Sequence, residues 1–189
     1  MSDSQGTKYE YGSVMHYSAT TNAIDHKGLS IIPKDVNHVQ TMGQRMKPTL
    51  MDLVEINYHY RCDAMCSNPP PNCAFGGIQH PRRCDRCLCP DGFGGMLCTQ
   101  IITSSERNPQ CGGLILATTG WRELHGIVHS FVEQQRDFLF FPESCWWHIK
   151  APIGQRLLVR LVSVDAACSP SCAYNNIELK TGAFAYTGY

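Results

Sequence analysis

The sequence contains no long apolar run and no excess of charge of either sign. None of its apolar stretches approaches the ~20 residues that span a bilayer, so no membrane-spanning segment is predicted. The 16 basic and 16 acidic side chains cancel, which leaves no net field to attract nucleic acid or an anionic membrane. A glycosylation sequon, Asn-x-Ser/Thr, is absent. Residues 1–7 lack the apolar core of a secretory signal, and none of the first fourteen residues is a histidine.

Cysteine, in contrast, is abundant. The chain has 11 cysteines, and none of them precedes Cys62. This density is typical of secreted modules, which use disulfides where the hydrophobic core is too small. An odd number of cysteines leaves at least one without a partner, and a disulfide-rich chain without an export signal is inconsistent as a whole protein. We therefore expect the chain to be an interior fragment of a longer secreted protein.

Composition divides the sequence into four parts. Residues 1–63 read as part of a globular domain, and residues 64–99 hold six cysteines among proline, glycine and asparagine. Residues 100–110 are polar and contain proline, which is typical of a linker. Residues 111–189 are rich in strand-forming residues.

Two patterns predict regular structure. Thr49 and Asp52 stand at the spacing of a capping box, which predicts a helix that starts there and runs into residues 61–62. In residues 156–164, Arg156 and Arg160 share one face with Leu158, and the other face is aliphatic at Leu157, Val159 and Leu161. This pattern predicts a strand with one face on a core. Residues 138–141 and 177–179 are further strand candidates, so an all-β sandwich is predicted for the last part.

Residues 13–17 read S-V-M-H-Y and follow two tyrosines, Tyr9 and Tyr11. This stretch resembles the Met-turn of the astacin family of zinc metalloendopeptidases. Residues 30–34, 41–45 and 52–62 resemble the same family in order and spacing. The resemblance covers about residues 1–63 and implies the C-terminal part of an α+β metzincin catalytic domain.

The resemblance also implies roles for two residues. Met15 would lie in the turn beneath a catalytic Zn²⁺, and Tyr17 would be a further zinc ligand that then hydrogen-bonds the oxyanion. Taken singly, both residues would more often be core residues of a strand and turn, but the flanking matches favour the family. The zinc helix of the family reads H-E-x-x-H-x-x-G-x-x-H, which does not occur in these 189 residues. We therefore expect the chain to lack all three histidine ligands, to bind no Zn²⁺ and to be inactive alone.

The other histidines are not predicted to bind a metal. His16 has no ligand role in the family, and we interpret it as structural. His125 and His129 have the i, i+4 spacing of a zinc helix, but Gly126 stands where the general-base glutamate would be. Glycine and two β-branched residues also disfavour a helix between them.

The cysteines of residues 64–99 resemble those of an EGF module, since the last three follow the pattern C-x-C, eight residues, C. Six cysteines alone leave many connectivities open. The family resemblance implies the pairs Cys66–Cys84, Cys73–Cys87 and Cys89–Cys98. A zinc knuckle is disfavoured because a second C-x-x-C is missing. No acidic run precedes the first cysteine, so we expect a structural spacer without calcium.

The last part resembles the opening of a CUB domain, an incomplete all-β sandwich. The resemblance rests on Cys111, Trp121 and residues 145–149, and it implies the disulfide Cys111–Cys145. Cys168 and Cys172 resemble a variant found behind EGF modules in nematode-type astacins, and they either pair together or await partners outside the chain. Cys62 matches a cysteine whose partner in the family lies near the start of the catalytic domain, so it has no partner here. The tryptophans Trp121, Trp146 and Trp147 are expected to be core residues more often than a recognition patch.

Together these resemblances imply a multidomain fragment with the order peptidase, EGF, CUB. The parent would be a secreted zinc metalloendopeptidase that cleaves extracellular or matrix proteins. The alternative is a non-catalytic extracellular EGF/CUB binding module. The upstream coding sequence distinguishes them, because only the peptidase requires an in-frame zinc helix.

Overall fold

The computed structural model describes residues 7–24, 28–67, 69–104, 111–128, 143–167 and 175–180. These residues fall into two compact units, one within 1–100 together with 166–189 and the other within 101–165. Among the described residues the helices are three short 3-10 turns, Val36–His38, Cys62–Met65 and Ala74–Gly76, and one α-helix, α1, Leu50–His59. The strands are β1 Ile78–Gln79, β2 Cys87–Leu88, β3 Phe93–Gly94, β4 Gln100–Ile101, β5 Gly113–Leu116 and β6 Trp147–Lys150. Within this described part, no helix is long and apolar enough to cross a membrane.

The helix α1 begins where the sequence predicts it. The Thr49 hydroxyl accepts the Asp52 N–H at 3.1 Å, and the Asp52 carboxylate accepts the Thr49 N–H at 2.9 Å, so the predicted capping box is confirmed. The helix ends at His59, before the predicted end at residues 61–62, because Arg61 adopts a left-handed conformation with φ of 51°. The side chain of Met51 is buried, whereas Ile56 is half exposed.

The segment before α1 packs around a few buried side chains rather than around regular structure. Met42 and Gln44 are almost fully buried, and Ala19 is 5% exposed. The Ala19 carbonyl accepts the backbone N–H groups of Ser30 and Ile31 at 2.8 and 3.1 Å, which ties two loops together. These contacts give residues 7–48 a fixed shape with a single short 3-10 turn among the residues described.

Residues 66–98 are held by three disulfides, Cys66–Cys84, Cys73–Cys87 and Cys89–Cys98. Their order is first to third, second to fourth and fifth to sixth, which is the order that the resemblance to an EGF module implies. The strands β1 and β2 pair antiparallel, and Phe75 stacks on Phe93 with 4.3 Å between ring centroids. Small strands of two residues are enough here because the disulfides replace a hydrophobic core.

In the second unit, β5 and β6 form a parallel pair with Gly113 opposite Trp147. The disulfide Cys111–Cys145 lies just before both strands, and its cysteines have a sequence separation of 34. Each cysteine stands two residues ahead of its strand. The bond therefore clamps the two strands at the same end.

The predicted strand over residues 156–164 is wrong. This stretch has no regular structure, and Leu158 and Val162 are 78% and 73% exposed. A strand forms only where a neighbouring strand takes up its backbone hydrogen bonds, and β5 and β6 are the only paired strands in the described part of residues 111–167. Residues 177–179 are also irregular, and residues 138–141 lie outside the described residues. The described residues after position 110 therefore form the two-stranded sheet of β5 and β6 and not the predicted sandwich.

Trp121 also differs from expectation. Its side chain is 67% exposed, and the Arg160 guanidinium lies 5.0 Å from the centroid of its ring. Trp146 and Trp147 are half-buried. The expectation of a core residue is therefore wrong for Trp121.

Candidate functional site

The candidate site is the turn at residues 13–16 and the tyrosine that follows it. The His16 N–H donates to the Ser13 carbonyl at 3.0 Å, and the Met15 N–H donates to the Ser13 hydroxyl at 3.1 Å. Met15 is 82% exposed and Tyr17 is 64% exposed. The two residues singled out by the sequence are therefore both exposed among the described residues.

Asp52 attaches this turn to the start of α1. Its Oδ1 accepts the Ser13 hydroxyl at 2.5 Å, and its Oδ2 accepts the Val14 N–H at 3.1 Å. The same Oδ2 accepts the Thr49 N–H of the capping box. A single carboxylate thus accepts hydrogen bonds from three donors in two segments of the chain. Hydrogen bonds to an ionised carboxylate are stronger than those to a neutral acceptor.

Arg45 and Gln44 hold the turn from another direction. Arg45 Nη1 donates to the carbonyls of Val14 and His16, both at 2.9 Å. The buried Gln44 amide donates to the Gly12 carbonyl at 2.7 Å and to the Lys47 carbonyl at 2.8 Å. Sequence analysis included residues 44–45 and 52 in the family resemblance but did not assign them contacts with the turn, and no local pattern indicates those contacts.

The His16 ring is enclosed by hydrogen bonds. Its Nδ1 lies 2.6 Å from the Tyr17 carbonyl, and its Nε2 lies 2.5 Å from the Tyr9 hydroxyl. A carbonyl can only accept, so Nδ1 carries a proton and donates it to the Tyr17 carbonyl. The cluster continues through Tyr11, whose ring stacks on His38 at 4.5 Å. With both nitrogens in hydrogen bonds, the His16 ring links Tyr9 to the backbone at Tyr17.

A zinc site does not assemble from the described residues, among which no three histidine, cysteine, aspartate or glutamate side chains cluster. His125 is irregular in backbone and highly exposed, and it faces Glu123 at 3.3 Å. A Cβ added at Gly126 would lie 2.5 Å from the Trp147 indole, so this position accepts no larger residue without rearrangement. His129 lies outside the described residues.

The remaining cysteines add no further bond to the described part. Cys62 is half-buried in the Cys62–Met65 turn and is a free thiol among the described cysteines. Cys168 and Cys172 lie outside the described residues.

Charged groups also lie near the start of α1. Lys47 Nζ is 2.7 Å from Asp91 Oδ2, which joins the approach to α1 with the turn after β2. These residues and Lys180 border a groove of about 200 Å³. Glu178 lies 3.9 Å from Lys180, and burial raises the pKa of its carboxyl to about 7 although Lys180 opposes the rise.

Residues 1–61 match the family model described as Astacin, a family of peptidases. The chain is 38% identical to the zinc metalloproteinase nas-27 of Caenorhabditis elegans, over 98% of this chain and 44% of that protein. It is also 38% identical to the zinc metalloproteinase nas-23 of the same nematode and 32% identical to the zinc metalloproteinase nas-36 of Caenorhabditis briggsae. Both matches cover 94% of this chain. They cover 32% of nas-23 and 28% of nas-36.

The chain therefore spans less than half the length of these curated relatives. No solved structure matches it. Residues 1–61 belong to a domain of the astacin family of peptidases, and the chain is a homologue of nematode zinc metalloproteinases.

Proposed function

We propose that this chain is part of a secreted zinc metalloendopeptidase that hydrolyses peptide bonds in extracellular proteins. The observation that carries the proposal is the turn at residues 13–16. It presents Tyr17 to solvent, it is anchored by Arg45 and Asp52, and it lies within the segment that matches the astacin family.

In this proposal Tyr17 contributes a phenol that donates a hydrogen bond to the oxyanion of the tetrahedral intermediate. Preorganised donors of this kind stabilise charge that develops in the transition state, and removal of one costs about 10² to 10³ in kcat. Zinc, when bound, supplies Lewis-acid chemistry and an activated water. The described residues do not fit a zinc site, so its ligands and the general base would come from another part of the parent protein.

The proposal also assigns domains. Residues 64–99 would be an EGF-like module, residues 100–110 a linker, and residues 111–189 a CUB-like segment that helps to position substrate. Support for the first comes from the disulfide order and from the Lys47–Asp91 ion pair, which attaches this module to the peptidase segment 1–63. Support for the last comes from Cys111–Cys145 and the strands behind it.

The 189 residues alone are proposed to be inactive, because H-E-x-x-H-x-x-G-x-x-H does not occur among them. Equilibrium dialysis of the purified chain is expected to show no stoichiometric zinc. Tight one-to-one binding that is abolished by replacing His125 and His129 would overturn this part of the proposal.

The decisive experiment begins with the transcript. An in-frame zinc helix upstream of residue 1 supports the peptidase, and independent transcription from Met1 behind a stop codon contradicts it. In the protein encoded by the complete transcript, Tyr17→Phe is expected to lower kcat by about 10² with KM little changed. A Tyr17→Phe variant with full activity would remove Tyr17 from the mechanism.

A second candidate function is a non-catalytic extracellular binding module. The exposed Trp121, with the Arg160 guanidinium against its ring, favours it because such aromatic and arginine pairs are common in recognition surfaces. The same transcript experiment separates the two candidates.

A further inference from the structure

We propose that Asp52 is a positioning residue for Tyr17, so that the cap of helix α1 and the placement of the catalytic phenol depend on one carboxylate. This inference rests on the proposed function, since it concerns the residue to which we assign oxyanion stabilisation. It adds a residue that contacts neither substrate nor metal and acts through the turn.

The two oxygens of Asp52 have different partners. Among the described residues, Oδ1 accepts from the Ser13 hydroxyl, whereas Oδ2 accepts from both the Val14 and the Thr49 N–H groups. The first bond belongs to the turn, and the Thr49 bond belongs to the helix. Because Ser13 is 39 positions away from Asp52, the carboxylate fixes a loop to a helix that is remote from it in sequence.

The constraint continues from the turn to Tyr17. Arg45 holds the carbonyls of Val14 and His16, and the His16 ring bonds the Tyr17 carbonyl. Four of the five residues from Ser13 to Tyr17 are therefore held by hydrogen bonds to Asp52, Arg45 or the His16 ring. The exception is Met15, whose N–H donates to the Ser13 hydroxyl within the turn. Release of Ser13 and Val14 would free the first half of this stretch and shift the phenol. Misplacement of a catalytic group by about 1 Å can cost about 10² in rate.

Single substitutions separate the two roles of Asp52. Ser13→Ala removes the donor to Oδ1, together with the acceptor of the Met15 N–H, and leaves the helix cap intact. Thr49→Ala removes the hydroxyl that accepts the Asp52 N–H and leaves both turn bonds intact. Asp52→Ala removes both roles. Ser13→Ala and Thr49→Ala are thus a matched pair, each losing one hydroxyl on opposite sides of the same residue.

In the protein encoded by the complete transcript, Ser13→Ala is expected to lower kcat at least about tenfold with KM unchanged, and Asp52→Ala to lower it further. Thr49→Ala is expected to keep kcat within about twofold of the wild type. A purely structural role for Asp52 predicts the opposite, namely that Thr49→Ala and Ser13→Ala act alike.

The second readout does not need activity. Hydrogen exchange of the His16 amide, measured on the 189-residue chain, reports opening of the turn because this amide bonds the Ser13 carbonyl and not any of the substituted side chains. We expect about tenfold faster exchange in Ser13→Ala and no change in Thr49→Ala. Equal exchange in all variants, or a fully active Ser13→Ala enzyme, overturns the inference. An inactive wild-type protein with the expected exchange pattern overturns the proposed function instead.

Discussion

The Ser13 hydroxyl donates a 2.5 Å hydrogen bond to Asp52 Oδ1, and the same carboxylate caps the helix that Asp52 belongs to. A loop near the start of the chain and the first turn of α1 are thereby fixed against each other. Hydrogen bonds to one carboxylate therefore contribute to the defined shape of a turn whose methionine is exposed.

The first prediction concerns the stability that this bond provides. Ser13→Ala leaves a partly buried carboxylate oxygen without its donor, so we expect a loss of about 1–2 kcal/mol in the free energy of unfolding. Urea denaturation of the chain measures it. Ser67→Ala, at an exposed serine, is the control and is expected to change stability by less than about 0.5 kcal/mol. Equal effects of the two substitutions would show that the Ser13 bond stabilises nothing.

A second prediction concerns Gly43, which has φ of +87° and lies directly against Ser18. A Cβ at this position would be 2.4 Å from the Ser18 Cβ, so Gly43→Ala combines backbone strain with a collision. We expect a loss of more than about 2 kcal/mol in thermal or urea unfolding.

Two glycines of the second unit provide controls for Gly43. Gly154 has φ of +81° with nothing within 4 Å of the added Cβ, so Gly154→Ala isolates the backbone strain. Gly120 has open space and no positive φ, so Gly120→Ala is expected to be nearly neutral. The order of destabilisation should be Gly43, then Gly154, then Gly120. Any other order would contradict the role assigned to Ser18.

A third prediction addresses the histidine pair at 125 and 129. Gly126→Glu would complete the pattern H-E-x-x-H, yet we expect no one-to-one zinc binding in equilibrium dialysis. The new side chain would collide with the Trp147 indole, and His125 lies on irregular backbone rather than on a helix. The collision is expected to reduce stability by about 1–3 kcal/mol. Gly120→Glu, where the added Cβ meets nothing, should leave stability almost unchanged, and a zinc-binding Gly126→Glu variant would contradict the interpretation.

A fourth prediction follows from the pKa of Glu178, which burial raises to about 7. The folded state therefore binds a proton at Glu178 more tightly than the unfolded state does. The stability that this carboxyl contributes is fully present below about pH 4.5 and is lost as the pH rises through about 7. Because the side chain is about one-third exposed, we expect Glu178→Gln to stabilise the chain by only about 1 kcal/mol at pH 8. The difference should vanish near pH 4.5.

Lys180 provides the comparison for Glu178. Its ammonium group opposes the rise in the pKa of Glu178, so Lys180→Met should raise that pKa further and steepen the loss of stability between pH 4.5 and pH 8. Urea midpoints over this pH range measure both variants. A pH profile that Glu178→Gln does not change would contradict the assigned pKa.

Local patterns predicted local structure. The Thr49 and Asp52 spacing was sufficient to place the start of α1, because a capping box closes within four residues. The helix ends before the predicted residues 61–62 because Arg61 takes a left-handed conformation, which sequence periodicity does not encode. The contact between Asp52 and Ser13 had no local signal, since it joins residues 39 positions apart.

The alternating pattern of residues 156–164 predicted a strand wrongly, because a strand also requires a neighbouring strand. Residues 156–164 have the period of a strand, but that period only describes which side chains share a face. It does not specify which neighbouring strand receives the backbone hydrogen bonds, and the described residues form none there. Trp121 likewise looked like a core residue by its type, whereas its position beside Arg160 on the surface depends on tertiary contacts.

The position of Cys111–Cys145 has a consequence for how the second unit folds. The two strands behind it are parallel and are joined by a long connection, so their alignment cannot be set by a tight turn. A slip of one residue would turn every side chain of a strand to the opposite face. Because each cysteine precedes its strand by two residues, the disulfide holds the strands in the alignment that places Gly113 opposite Trp147.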